Sequence, residues 1–332
     1  MAISVCVVGG AGYIGSHMVK LLAIKGCKVT TLDNLSTGYR DAVLAGDFIQ
    51  GDLSDTVFLD NFFSEHAFDA IMHFASFIQV GESLQQPEKY YQNNVVNTLN
   101  LLNSMCKHNV KRIIFSSTAA TFGEPKYTPI DETHPQTPIN PYGRSKLMIE
   151  QILSDYDQAY GLKSVCLRYF NAAGADPEGQ LGERHDPETH LIPLVLQTAS
   201  GRRQEIKVFG QDYDTPDGTC IRDYIHVCDL CDAHWLALEY LFKTSSSQSF
   251  NLGNGSGFSV KEVIDTAKLV TQKEIKAVYT SRRKGDPAVL VADSTSARTI
   301  LKWNPKITNI ESIVEHAWKW ERFISAMPIQ GS

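Results

Sequence analysis

The sequence predicts an α/β protein: a Rossmann-type, doubly wound parallel sheet with a smaller mixed α/β unit attached. Three observations support this. Short apolar runs alternate with amphipathic helical stretches through the first half of the chain. A glycine loop stands directly between the first apolar run and the first helical stretch. Beyond Asn171 the texture changes to Gly, Pro and charge, as expected of a chain leaving its sheet.

Taken in order, "ISVCVV" is a buried strand, and "HMVKLLAIKG" is an amphipathic helix closed by a glycine. "KVTTLD" and "FIQGDL" read as strands, followed by a helix near "TVFLDNFFSEH". "AIMHFAS" is a further buried strand, and one long helix is expected from about Glu88 to His108. "VKRIIFSST" is rich in β-branched residues and reads as a strand. The helix opened by Pro141 and the strand "SVCLRYFN" complete the alternation. Strands alternating with helices favour a parallel sheet covered on both faces. The division expected is residues 1–172 as a dinucleotide-binding domain, with a returning segment near 220–254, and 173–332 as mainly a substrate domain. Helices are expected there at Val260–Thr271 and Ile310–Phe323.

The 332 residues carry 31 basic and 37 acidic side chains, a net charge of −6, with no basic cluster. That balance argues against nucleic acid or an anionic membrane as a partner, since either needs a basic patch. No apolar run approaches the roughly 20 residues that span a bilayer. The N-terminus lacks a basic leader region, and the seven cysteines are scattered, so a cytoplasmic protein is expected. "HVCDLCDAH" places His226, Cys228, Cys231 and His234 close in sequence, but on one amphipathic helix that cannot encircle an ion. No metal centre is expected.

"VVGGAGYIGSH" reads as G-x-x-G-x-x-G through Gly9, Gly12 and Gly15, and as G-x-G-x-x-G through Gly10, Gly12 and Gly15. Glycines here make a tight turn, admit a pyrophosphate to the backbone N–H groups and let the helix pack close to the sheet. Asp33, eighteen residues after Gly15 at the end of the second strand, suits the ribose hydroxyls and disfavours a 2′-phosphate. The cofactor expected is therefore NAD. Asp52 in "GDL" is a candidate contact beside the adenine.

"NPYGRSKLMIEQIL" puts Tyr142 four residues ahead of Lys146, both expected in the first turn of a helix. Alone, such a pair is an ordinary helix face. Beside a dinucleotide it gains a task. A lysine and an oxidised nicotinamide both favour the phenolate of a tyrosine whose ordinary pKa is about 10. Thr118, which closes "FSST" 24 residues upstream, would supply a hydroxyl at the carboxyl end of a strand.

Together "GGAGYIGSH", "SST", "PYGRSK" and "LRYFNAAGA" resemble the extended short-chain dehydrogenase/reductases. "VGES", "GTCIRDYIHVCDL", "FNLGNG" and "RRKGDPAVLVADSTSA" extend the likeness to that family's UDP-sugar epimerases over nearly the whole chain. The resemblance implies tightly held NAD, a UDP-hexose substrate, and 4-epimerisation through a transient 4-keto sugar. Carried over by position, it assigns catalysis to Tyr142, Lys146 and Thr118. It gives cofactor contacts to Gly9, Gly12, Tyr13, Ile14, Gly15, Asp33, Asn34, Asp52, Leu53, Phe74, Ala75, Ser76, Asn94, Ser116 and Tyr169, besides Tyr142 and Lys146. It gives substrate contacts to Thr118, Asn171, His190, Leu191, Phe209, Arg222, Arg283, Asp286 and Leu290. The two arginines suit a diphosphate.

The chain departs from its relatives in three places, one of them His190 of "THLIP", where some relatives carry an asparagine. Ile78 stands where many members have a lysine, so one cofactor contact is missing. Leu290 replaces a frequent tyrosine and would leave room for a 2-N-acetyl group, making UDP-N-acetylglucosamine an alternative substrate. A sugar 4,6-dehydratase is disfavoured, because Ala119 and Ala120 stand where its Asp-Glu pair belongs. A non-catalytic NAD(H) sensor would have no need of Thr118, Tyr142 and Lys146 together. A homodimer is expected, with the helices at 88–108 and 142–160 as its face.

Overall fold

The computed structural model describes residues 2–283 and 286–326. Strand β1 (Ser4–Val8) leads through the glycine loop into α1 (Tyr13–Ile24), followed by β2 (Lys28–Asp33), β3 (Asp47–Gln50), α2 (Thr56–Glu65) and β4 (Ala70–His73). Short helices α3 (Val80–Gln85) and α4 (Pro87–Tyr90) precede α5 (Asn97–Lys107). Then come β5 (Arg112–Thr118), α6 (Pro141–Tyr160), β6 (Lys163–Tyr169) and β7 (Asn171–Ala173). The remainder is α7 (Leu191–Ala199), β8 (Ile206–Phe209), β9 (Ile221–Arg222), β10 (Tyr224–His226), α8 (Val227–Thr244), β11 (Gln248–Leu252) and β12 (Phe258–Ser259). It ends with α9 (Val260–Thr271), β13 (Ala277–Thr280), β14 (Val289–Leu290) and α10 (Ile310–Ser325).

Seven strands form one parallel sheet in the order β11-β6-β5-β4-β1-β2-β3. The strands alternate their buried residues between two helical layers. On β1, Val5 and Val7 pack with Met18 and Leu22 of α1 and Leu230 and Leu238 of α8. Cys6 and Val8 face Leu101 and Met105 of α5 and Ile149 and Leu153 of α6. Both faces are thus apolar, which is why these strands read as continuous hydrophobic runs. A third core lies apart from the sheet, where Ile192 and Leu196 of α7 meet Val263 of α9 and Ile313 of α10. The small sheets β12-β9-β14 and β13-β8 belong to this region. Strand β11, late in sequence, nevertheless pairs with β6 in the main sheet. No described helix is long and apolar enough to cross a membrane.

Two expectations need correction. The stretch 88–108 is not one regular α-helix, because a π-helical turn, Tyr91–Val96, separates α4 from α5. Lys146 lies one turn beyond the opening of α6, whose N-cap is Asn140 and first residue Pro141.

Candidate active site

Strand order reverses between β1 and β4, so a crevice opens at the carboxyl ends of the strands, the usual ligand position in such sheets. The glycine loop forms one wall. Gly9 takes φ +81°, and a Cβ there would meet the backbone nitrogen of Ala75 at 2.4 Å. A Cβ on Gly15 would strike the Gly9 carbonyl at 2.1 Å, so glycine is what lets α1 start this close to β1. Gly12 differs: its Cβ would find only the Gly9 carbonyl, at 3.4 Å. The protein itself leaves that space open, as a loop that receives a pyrophosphate would. Tyr13 and Ile14 open α1, where the first N–H groups lack helical partners and favour an anion. The crevice therefore fits a dinucleotide.

Asp33 holds the loop as well as facing the crevice. One carboxylate oxygen accepts from Ala11 N at 2.9 Å and the other from Leu35 N at 2.8 Å. Burial raises its pKa, and these two N–H groups oppose the rise. A carboxylate has about four acceptor positions, so two remain for ribose hydroxyls. Asn34 and Asp52 bond each other at 2.7 Å, and the second Asp52 oxygen takes Ser54 N, with Leu53 buried beside them. On the far wall Phe74 N and Ala75 N both bond the Val8 carbonyl, and the Ser76 hydroxyl turns back to Phe77 O.

The third wall carries the tyrosine. The Asn140 side chain caps α6 through Gly143 N at 2.8 Å. A Cβ on Gly143 would lie 2.4 Å from the Ala120 carbonyl, so α6 presses against the turn that follows β5. This brings Tyr142 near Thr118, whose hydroxyl favours the ionised phenol. Burial outweighs that and pushes Tyr142 up to about 12. Lys146 is buried, donates to Ser116 O at 2.8 Å and lies 4.9 Å from the centre of the Phe115 ring. Burial lowers its pKa to about 7, and the Glu150 carboxylate opposes the fall. Tyr169 bonds the Ser116 hydroxyl and is raised by burial and by Tyr142.

Several expected contacts are engaged within the protein. Asn94 sits in the π turn with its oxygen on Phe77 N (2.9 Å) and its nitrogen on Phe77 O (3.0 Å) and Ser145 Oγ (3.1 Å). It pins the β4 loop to α6. The Tyr13 hydroxyl donates to Gly174 O at 2.7 Å, leaving the Tyr13 backbone N–H for a cofactor. His190 precedes Leu191 at the start of α7, but its imidazole bonds Glu183 at 2.5 Å.

The remaining substrate candidates gather around β9. Asn171 bonds the Asp223 carbonyl at 3.0 Å, Leu290 pairs in register with Arg222, and Arg222 forms an ion pair with Asp286. The Arg283 guanidinium lies over the Phe209 ring, 4.0 Å from its centre.

Sequence reasoning missed the support beneath Lys146. Glu150, one turn further along α6, takes three bonds from Arg168 at 2.6–3.1 Å and one from the Ser117 hydroxyl. The i,i+4 spacing from Lys146 was the available signal. Of "HVCDLCDAH", His226 bonds Cys228 N and His316, Cys231 the Ile14 carbonyl, and His234 the Leu230 carbonyl. They do not converge.

Residues 5–253 match the NAD dependent epimerase/dehydratase family. The chain belongs to that family. Within it, the chain is 54% identical over 319 residues to a UDP-glucose 4-epimerase of Halalkalibacterium halodurans, covering 96% of each sequence. It superposes on a UDP-glucose 4-epimerase from Brucella ovis in complex with NAD with a TM-score of 0.94 at 48% identity, over 96% of this chain and 98% of that one. A UDP-Glc/GlcNAc 4-epimerase from Campylobacter jejuni superposes with a TM-score of 0.86 at 46% identity, over 97% and 100%. Membership in this epimerase/dehydratase family accounts for the glycine loop and for the Tyr142, Lys146 and Thr118 grouping in one crevice.

Proposed function

We propose that this protein is an NAD-dependent isomerase that reversibly inverts C4 of a UDP-hexose, interconverting UDP-glucose and UDP-galactose. The observation that carries the reading is the grouping of Tyr142, Lys146 and Thr118 at the end of β5 and the start of α6, across the crevice from the open glycine loop. NAD, when bound, supplies reversible hydride exchange with sugar C4. The Gly9–Gly15 loop would hold its pyrophosphate, Asp33 a ribose, and Asp52 with Asn34 the adenine end.

The protein's own part is acid–base work. The Tyr142 phenolate takes the proton of the sugar 4-OH as that carbon is oxidised to the ketone, and Tyr142 OH returns it when the ketone is reduced from the other face. Thr118 donates a hydrogen bond to the sugar oxygen. Lys146 favours the phenolate electrostatically and holds the nicotinamide ribose. Because the ketone is reduced again within the same turnover, no net oxidant is consumed. Arg222 and Arg283 hold the diphosphate, with Asp286 releasing Arg222 to it, and Phe209, Asn171 and Leu191 line the rest. We assign the cofactor unit to residues 1–172 with 220–254, and the substrate unit mainly to 173–332. The assembly we propose is a homodimer in the cytoplasm.

A second substrate has a specific observation behind it. Leu290, half-buried opposite Arg222, is smaller than a tyrosine, and the Campylobacter jejuni relative is named for both UDP-Glc and UDP-GlcNAc. Purified protein without added nucleotide is incubated separately with UDP-galactose and UDP-N-acetylgalactosamine, and the products are resolved by anion exchange. UDP-glucose is the expected product of the first. Conversion of the second as well makes the enzyme dual-specific. Turnover of neither, even with NAD added, overturns the reading.

A further inference from the structure

Four side chains of the excursion between β7 and α7 converge. They are Glu183, His185, Glu188 and His190, and one donor atom from each lies within 4.8 Å of all the others. Among the described residues this is the one cluster of His, Cys, Asp and Glu within reach of a common ion. Its spacing, E-x-H-x-x-E-x-H, mixes two imidazoles with two carboxylates.

Both carboxylates are nearly sealed from solvent, at 5% and 4% side-chain exposure. Among the described residues their ion-pair partners are the two histidines. The two imidazoles face these carboxylates as ion-pair partners, so an ion bound here would take the place of their protons. One Glu183 oxygen faces both imidazoles, 2.5 Å from His190 Nδ1 and 3.1 Å from His185 Nδ1. The His185 approach is misaligned, and that buried nitrogen has no hydrogen-bond partner. An imidazole nitrogen 3.1 Å from one buried carboxylate and 3.8 Å from the other, without an aligned hydrogen bond to either, is a geometry that a shared ion would complete. Glu188 is meanwhile held in orientation by Thr189 N at 2.7 Å and His190 N at 2.9 Å.

We propose that Glu183, His185, Glu188 and His190 form a structural site for one divalent first-row metal ion, zinc in particular. Two nitrogens and two carboxylate oxygens are a borderline donor set that suits zinc and neutralises its charge. A tetrahedral site with ligands at about 2.0–2.1 Å has donors roughly 3.4 Å apart, so closure needs only side-chain shifts of about 1 Å. The backbone bonds to Glu188 supply the outer orientation that such ligands need. The cluster borders an open cleft that Arg184, Arg202 and Arg203 also line.

The position gives the ion a task. The His185 ring packs edge-on against Tyr13 of the glycine loop, with 6.3 Å between centres. Trp320 of α10 donates to the Glu183 carbonyl at 2.9 Å, and His190 immediately precedes α7. Metal binding would tie the start of α7 and the glycine loop to α10 through one loop.

Untagged protein, dialysed against chelator and then freed of it, is titrated with Co²⁺ and followed by visible absorption, and Zn²⁺ is then added. One equivalent of Co²⁺ is expected to give a d–d band that Zn²⁺ abolishes, with Zn²⁺ raising the melting temperature. His185→Gln and Glu188→Gln should each weaken uptake at least about tenfold. No stoichiometric uptake by the native chain, or undiminished uptake by both variants, overturns the proposal. The native titration decides the matter even if a variant does not fold, and it is read without any assay of turnover.

Discussion

Burial works against Tyr142 as a base. It pushes the phenol up to about 12 and the Lys146 ammonium down to about 7, so at neutral pH the protein's own groups favour phenol. Only added positive charge, from a retained proton on Lys146 or from a cationic ring beside it, brings the phenolate within reach. A chemistry that depends on Tyr142 follows, with a binding role that does not. Tyr142→Phe is expected to lower kcat by about 10²–10⁴, the usual worth of a positioned acid–base group, while bound NAD stays stoichiometric. Steady-state kinetics and release of NAD on denaturation read the two effects separately. A variant of unchanged kcat would remove Tyr142 from the reaction. The pair was legible in the sequence because its spacing is local and the glycine loop supplied the context. Asn94 was not legible in its observed role, since its partners at Phe77 and Ser145 lie 17 and 51 residues away.

Helix α6 carries both residues, and what fixes it is the Glu150–Arg168–Ser117 network buried under the sheet end. With side-chain exposures of 6% and 8%, the ion pair is desolvated, and its worth shows mainly when one partner is lost. Glu150→Leu leaves Arg168 as an uncompensated buried cation. It should destabilise the protein by about 3–5 kcal/mol, measured by urea unfolding. A loss below about 1 kcal/mol, the scale of exposed pairs, would mean that the network contributes little. Most elements were legible from apolar periodicity, and the α6 start from Pro141. The π turn at Tyr91–Val96 was not, because one extra residue per turn scarcely alters the pattern of buried positions. The partners of the His190 side chain were not legible for a related reason. Its neighbours Glu183 and Glu188 approach it only because the loop folds back on itself.

At the scale of the whole molecule, alternation in the first half made the parallel sheet readable, whereas β11 joins it from the far side of the substrate region. The returning segment expected near 220–254 includes β11, but which strand it would pair with has no local signature. Outer faces were equally silent, but the structure leaves Val96 and Met148 each 40% exposed, on the π turn and on α6, which pack together. Val96→Glu with Met148→Glu should convert the proposed dimer to monomer in sedimentation velocity. An unshifted dimer would place its interface elsewhere. The central claim is that C4 is oxidised and then reduced by the same hydrogen within one active site. Its most direct test is UDP-galactose carrying deuterium at C4, converted without added nucleotide and examined by mass spectrometry and NMR. UDP-glucose that retains the label at C4 is the expected product. Product whose C4 deuterium has been replaced by solvent hydrogen would contradict that claim.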